Sequence, residues 1–562
     1  MTDYFNKTDY FNKHAELLEK ALDACAQRYS WSAWPENPSS KLHGEEKPAA
    51  GKAAFESRLQ AEFPLEQPGT IGHLGAEVSP YTRKSLGVRY PATDVPALYA
   101  AIREAQPAWA AASPRDRVGV CLEILQRCGD HLFENAHATM HTSGQSYVMA
   151  FAGSGANALD RGLEALAYAH KAMDDVPAQA RWQRQFGRDG VADLHKQYRL
   201  IPRGVGVVIC CATFPLWNAY PALCASLATG NPVVLKPHPS AILPVALVVK
   251  TCREVLAEAG FDPNLVSLVA DEREAPATLA LLEQPETAIV DFTGSPGFGA
   301  WLEQNCPGML VYTETAGCNS VVLESTDDLT ATARAIAQSL CQASAQMCTS
   351  VQNIHVPAAG VRVAGELFSV EAVSQALVDA VEFWLADARR AATLCGTLFD
   401  DSVQATVDRC REQAADARIL RDSSPYGHAD FPDARTATPL MIAVDETQRD
   451  WYRQEVFGPV SFVISNASRD ACLADATGNA RECGAITSHV YTTDEQFMQE
   501  AIDAYHSAGA SVACNLTGMP INFAAAYSDY HVTGLNPAGN ACLADLALVA
   551  ERFRILQSKV MA

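Results

Sequence analysis

The sequence predicts an α/β fold built on a parallel, doubly wound sheet, and three observations carry that prediction. Apolar runs rich in β-branched residues recur at residues 205–211, 233–236 and 288–292, the pattern of strands buried on both faces. Stretches with helical spacing follow the first two runs, at residues 220–229 and 243–260. The third run ends in a glycine-rich turn, Gly294-Ser295-Pro296-Gly297-Phe298-Gly299, with a further helix from Phe298 onward. Such alternation implies a parallel sheet with a ligand at the carboxyl ends of its strands.

Taken in order, the chain opens on a duplicated hexapeptide, Thr2-Asp3-Tyr4-Phe5-Asn6-Lys7, copied as residues 8–13. One copy is a local duplication, and residues 1–13 are expected to be poorly ordered. Leu17, Leu18, Ala21, Leu22 and Cys25 have helical spacing within residues 14–28, and the Trp- and Pro-rich residues 31–48 read as irregular chain held by aromatic anchors. Residues 95–109 and 115–135 read as amphipathic helices, the second introduced by Ser113-Pro114, and helix resumes over 163–173. Beyond about residue 315 a second α/β region begins, with helices over 331–345, 370–385, 402–415 and 494–507. No low-complexity linker divides the halves, so they are expected to pack together with a site between them.

Bulk properties narrow the function. A chain of 562 residues suggests two or three domains, and 48% hydrophobic with 19% charged residues is the composition of a soluble globular protein. A net charge of −22 argues against a broad nucleic-acid surface, which needs basic stripes. The most apolar stretch, residues 241–249, is too short to span a membrane. The first residues lack the basic-then-apolar pattern of a secretion signal, so the expected compartment is the cytosol. Seventeen cysteines without any Cys-x-x-Cys spacing read as reduced, mostly buried thiols, and no metal site is expected.

Four local features carry chemistry. The Gly294-Ser295 turn would present helix N–H groups to a phosphate. Lys236 ends a strand and precedes Pro237, where it can reach a ribose or its phosphate. Three residues on stands Pro239 instead of an acid, and the missing negative charge favours NADP over NAD. Cys348 lies among polar neighbours, Gln346, Thr349 and Gln352-Asn353, unlike an inert buried thiol. Glu314, in Glu314-Thr315-Ala316-Gly317, precedes it by 348 − 314 = 34 residues. A further segment, Glu455-Val456-Phe457-Gly458-Pro459-Val460, reads as an apolar strand preceded by an acid.

Together, and in this order, these elements resemble the aldehyde dehydrogenase superfamily over roughly residues 60–560. The resemblance implies a Rossmann-type cofactor domain, an α/β catalytic domain and a small β oligomerisation extension. It makes residues 1–60 an N-terminal extension, 61–180 and 204–315 the cofactor-binding domain, and 316–535 the catalytic domain. Residues 181–203 and 536–562 become the oligomerisation segments of a homodimer or homotetramer. Gly294 and Ser295 match the turn under the cofactor pyrophosphate, and Lys236, after Ala228-Thr229-Gly230-Asn231, matches the ribose lysine. Glu455 and Phe457 match the element at the nicotinamide ribose, Glu314 the general base and Cys348 the nucleophile. The implied reaction is NAD(P)-dependent oxidation of an aldehyde through a Cys348 thiohemiacetal and thioester, with Glu314 activating water. One position departs: Thr213 stands where the family has an oxyanion-binding Asn, and Ala212 where it has a Trp. The oxyanion donor is then Thr213 itself, Asn218, or the Cys348 backbone N–H.

Segments at 28–36, 140–145, 160–164 and 529–540 resemble a narrower group, the phenylacetic acid degradation dehydrogenases. That likeness implies a small-molecule aldehyde carrying a CoA thioester, a semialdehyde from ring cleavage, with no nucleic-acid or membrane partner. Two alternatives stay open: a CoA-acylating dehydrogenase, and a non-catalytic protein that keeps the fold.

Overall fold

The computed structural model describes residues 9–188, 190–315, 317–414, 418–531 and 545–562. Five parallel strands form the first sheet, in the spatial order Val266–Leu268, Val233–Lys236, Val205–Ile209, Thr287–Gly294, Leu310–Thr315. The first strand in sequence, Val205–Ile209, is central, and the order reverses between it and Thr287–Gly294. That reversal opens a crevice at the carboxyl ends, where open α/β sheets bind their ligands. All five residues of the central strand are buried, as its unbroken apolar run requires.

The second sheet has seven strands, ordered Arg418–Arg421, Leu440–Asp445, Val460–Asn466, Asn353–Pro357, Ser320–Leu323, Ser488–Tyr491, Ala513–Cys514. Its pairs are parallel except the first. The third element is a three-stranded antiparallel sheet in which Gly190–Pro202 lies between Gln179–Phe186 and the C-terminal Phe553–Met561. These are the segments read as a β extension from the sequence.

Helix ends follow local chemistry. Asp94 accepts from the Ala97 N–H at the start of Val95–Ala111, and Ser113 accepts from the Asp116 N–H at the start of Pro114–Asp130. Residues 115–135 are not one helix: the chain breaks at His131 and a second helix runs Leu132–Ser143. The helix expected to reach 345 stops at Cys341. Residues 455–459 are not strand, which starts at Val460, because Gly458 has φ +137° and Pro459 follows it.

The N-terminal region is more ordered than its sequence suggests. Residues 1–8 lie outside the described residues, but Tyr10–Lys13 is a short helix with Tyr10 buried. Lys13 and His14 both reach the buried Glu123 carboxylate, at 2.5 and 2.7 Å, which fixes this end. Residues 31–48 contain a short helix, Ser40–His43, and the start of Glu46–Arg58, with Trp34 buried. Pro48 is tolerated there because a first-turn N–H has no helical acceptor.

One knot joins the C-terminal strand to the cofactor sheet. Arg552 is fully buried, pairs with Asp291 through both Nη atoms at 2.5 and 2.8 Å, and donates to Ser226 Oγ. Asn231, the last residue of Ala228-Thr229-Gly230-Asn231, accepts from the Arg203 and Gly204 N–H groups and donates to the Arg552 carbonyl. The motif therefore pins the strap between two sheets. Among the described residues every cysteine is free, and no helix is long and apolar enough to cross a membrane.

Removing Asp291 would strand the Arg552 guanidinium in the interior. Asp291→Ala is expected to destabilise the fold by about 3–5 kcal/mol, read as a lower urea midpoint at unchanged slope. A shift within error of zero would mean that the pair is not structural.

Candidate active site

Lys236, Thr213, Gly294, Ser295 and Glu314 all stand at or just beyond the carboxyl ends of neighbouring strands of the first sheet. Cys348 comes from the second α/β region and meets them across the crevice. Backbone packing is tight on either side of the chain that crosses over: a Cβ at Gly299 would sit 2.6 Å from Thr315 Cγ2, and one at Gly317 would sit 2.2 Å from the Gly484 carbonyl.

The nucleophile turn is tightly held. After Leu329–Cys341, residues Ala343, Ser344 and Ala345 take left-handed backbone, with φ of 50°, 52° and 50°. Ser344 Oγ donates to the Cys395 carbonyl, and Gln346 donates to the Thr397 carbonyl while accepting from the Phe399 N–H. Asn319 donates to the Cys348 carbonyl at 2.7 Å and the Ser350 carbonyl at 2.9 Å. Its own oxygen accepts from the Ile486 and Thr487 N–H groups. Gln352 accepts from the Val456 N–H and donates to the Gln454 carbonyl, fixing the turn that carries Glu455 and Phe457. Of the polar neighbours that mark Cys348 in the sequence, Gln346, Gln352 and Asn353 are thus backbone clamps.

Two clefts meet at this thiol. The larger, about 1350 Å³ and open to solvent, is lined by Lys236, Thr213, Gly294, Ser295, Glu455 and Phe457, with Glu314 and Cys348 at its inner end. The smaller, about 730 Å³, lies on the other side of Cys348, between Met149, Gly153, Phe214, Trp217, Met347 and Phe523. Part of its wall is a π-helical turn, Ala152–Asn157, a backbone form concentrated at functional sites.

Charge in the site is unevenly compensated. Burial, and next the Glu314 carboxylate, push the Cys348 thiol well above its ordinary range, so the resting group is S–H. Burial raises the Glu455 carboxyl to about 7. Glu314 is 1% exposed, and its Oε2 accepts from Asn218 Nδ2. One Asn218 N–H is thereby taken up by Glu314. Thr213 is buried at the cleft wall, its carbonyl held by Gln145.

Lys236 has an acid beside it after all, supplied by another strand. Its Nζ lies 2.8 Å from Asp271 Oδ2, just beyond strand Val266–Leu268, and Asp271 Oδ1 is buried with no partner. Residue-to-residue spacing along one strand could not reveal it. The larger cleft fits a dinucleotide: Lys236 and the N–H end of helix Pro296–Asn305 suit phosphate, and Glu455 suits ribose hydroxyls. A second residue missed by the sequence reading is His531, which touches both Glu314 and Cys348. Its only signal was membership of the segment 529–540, of which residues 532–540 lie outside the described residues.

The model of the aldehyde dehydrogenase family matches residues 75–524. The crystal structure of an NAD-dependent aldehyde dehydrogenase from Burkholderia multivorans is similar throughout, with 45% identity, a TM-score of 0.96 and 99% of each chain covered. A Thermus 1-pyrroline-5-carboxylate dehydrogenase with bound NAD shares the fold at 17% identity and TM-score 0.74, over 95% of this chain and 99% of that one. In sequence, a 1-pyrroline-5-carboxylate dehydrogenase of Bacillus cereus is 27% identical over 324 residues, which is 56% of this chain and only 58% of that relative. On the family match and the near-complete structural likeness, the chain belongs to the aldehyde dehydrogenase family.

Proposed function

We propose that the protein oxidises an aldehyde to the corresponding acid, with Cys348 as nucleophile and Glu314 as base. The observation that carries this reading is the position of Cys348 in the partition between two clefts, with its sulfur within 4.8 Å of a Glu314 oxygen. A nicotinamide dinucleotide held by Lys236, Ser295, Glu455 and Phe457 would supply the hydride acceptor. Cys348 sulfur adds to the carbonyl carbon, and the new oxyanion takes its hydrogen bonds from Thr213 and the Cys348 backbone N–H. Loss of hydride leaves a Cys348 thioester. Glu314 then draws a proton from water, and the acid departs with the thiol restored. The smaller cleft, with its apolar walls, takes the body of the aldehyde.

For the cofactor, the leaning toward NADP drawn from Pro239 is offset by Asp271. A buried carboxylate that already neutralises Lys236 leaves less positive charge for a 2′-phosphate, and we take NAD as the preferred partner. The substrate we favour is a CoA-linked semialdehyde from phenylacetate ring cleavage, on the likeness of segments 28–36, 140–145 and 160–164 to the PaaN group. Release to water is favoured over release to CoA because Glu314 is buried, held by Asn218 and beside the sulfur. The three-stranded sheet exposes Phe186, Ile201, Ile555, Leu556 and Val560, which supports self-association through the two proposed oligomerisation segments.

Semialdehydes with and without CoA, screened with NAD and NADP, test the substrate by formation of reduced cofactor. Cys348→Ala is expected to abolish it, and retained turnover would refute the mechanism. Glu314→Gln should keep a first-turnover burst while steady turnover falls about 10²-fold or more; full steady turnover would point to another base or to CoA. Glu455 gives a pH signature. Burial holds its neutral form, so the ionised fraction rises as pH climbs through about 7, and the charged carboxylate is the stronger acceptor for ribose hydroxyls. Cofactor binding, followed by fluorescence, is expected to tighten across that range in the native protein and to stay flat in Glu455→Gln. Equal slopes would remove Glu455 from the cofactor site.

A further inference from the structure

Beside the nucleophile and the base stands a third titratable group. His531 is 1% exposed; its Nε2 lies 2.8 Å from Glu314 Oε1 and 3.6 Å from Cys348 Sγ. The Trp217 ring packs edge-on against it, 4.6 Å between centroids. Among the described residues its Nδ1 is buried with no partner. A proton on Nδ1 would be an unsatisfied buried donor, which favours the tautomer with its proton on Nε2. In that tautomer Nε2–H donates to Glu314. Together with the Asn218 amide on Oε2, it gives each oxygen of the carboxylate a donor.

The surrounding structure is built to hold this ring. Arg161, itself fully buried, donates to the Asp529 and Ala524 carbonyls and lies over the Trp217 ring. Tyr527 donates to Asp160, which also accepts from Ser32 and the Ala33 N–H. Arg28 donates to the Tyr527 carbonyl. Segments 28–36, 160–164 and 524–531, far apart in sequence, thus close around the residue that reaches the active site. The charged and titratable groups facing His531 are Glu314 from strand Leu310–Thr315 and Cys348 from the nucleophile turn. Farther out are Glu36 on the smaller cleft and Arg161 behind Trp217. Glu455 and Cys211 act on the thiol from the cofactor side.

We infer that His531 is a further catalytic residue, an Nε2–H donor that holds the Glu314 carboxylate aimed at the reacting centre and stays within reach of the Cys348 sulfur. The inference rests on Cys348 as nucleophile and Glu314 as base. When the thiol proton passes to water in the solvent-open cleft, the S–H bond breaks and its electron pair remains on sulfur, while Glu314 stays free to act later as base. The same N–H then faces the atom that has gained the charge. In the water step, the donor steadies the carboxylate that must be ionised to accept a proton.

p-Nitrophenyl acetate tests this without cofactor: release of nitrophenolate in a burst reports acylation of Cys348, and the steady phase reports deacylation. In His531→Leu the burst amplitude is expected to persist. The steady phase should fall roughly tenfold at neutral pH, and its acid limb should move up by about one pH unit, the effect of one lost charge-assisted hydrogen bond. His531→Gln, whose amide can donate, should restore most of the native limb. An unchanged limb in a folded His531→Leu protein overturns the inference. If that variant does not fold, His531→Gln decides: a near-native limb supports the donor role, and a steady phase as low as that of Glu314→Gln overturns it. Absence of any burst in the native protein would instead defeat the nucleophile reading itself.

Discussion

Three consecutive residues in left-handed backbone, Ala343, Ser344 and Ala345, turn the chain between helix Leu329–Cys341 and the nucleophile. L-residues resist this form at roughly 1–2 kcal/mol each, so the turn persists only because its surroundings over-determine it. The clamps are specific: Ser344 on the Cys395 carbonyl, Gln346 between Thr397 and Phe399, and Asn319 on the Cys348 and Ser350 carbonyls. The result is a thiol set in the wall between two clefts, reachable from both. Strain stored at such a point preorganises the reacting atom. A relaxed helix continuing through 345 would aim Cys348 elsewhere.

Placing a thiol there creates an electrostatic difficulty. Burial and the neighbouring carboxylates all oppose a thiolate, yet the thiolate is the nucleophile. The fold answers with hydrogen-bond donors instead of a permanent positive charge. Asn218 and His531 cover the two oxygens of Glu314, and His531 also reaches the sulfur. Thr213 is held by Gln145, and His531 by the network around Arg161.

Much of this was legible in the sequence, for identifiable reasons. The doubly wound sheet showed itself because strands buried on both faces must be continuously apolar, as Val205–Ile209 is. Lys236, Glu314 and Cys348 were legible as linear motifs, and all three line the larger cleft. What stayed hidden depends on contacts between distant segments. Asp271 reaches Lys236 from the next strand, and His531 arrives 183 positions after Cys348. The segment at Glu455 was misread as strand because Phe457 and Val460 are apolar, whereas Gly458 and Pro459 keep it a turn held by Gln352. The N-terminal residues 9–13 were underestimated because their order comes from Glu123, over a hundred positions away.

The central claim is that one thiol among seventeen carries the acyl group. Trapping tests it most directly: Glu314→Gln protein is mixed with an aldehyde and NAD, quenched in acid, digested and weighed by mass spectrometry. The account predicts an acyl thioester on the peptide bearing Cys348 and on no other cysteine, dependent on NAD. An acyl group on a different cysteine, or none despite formation of reduced cofactor, would contradict it.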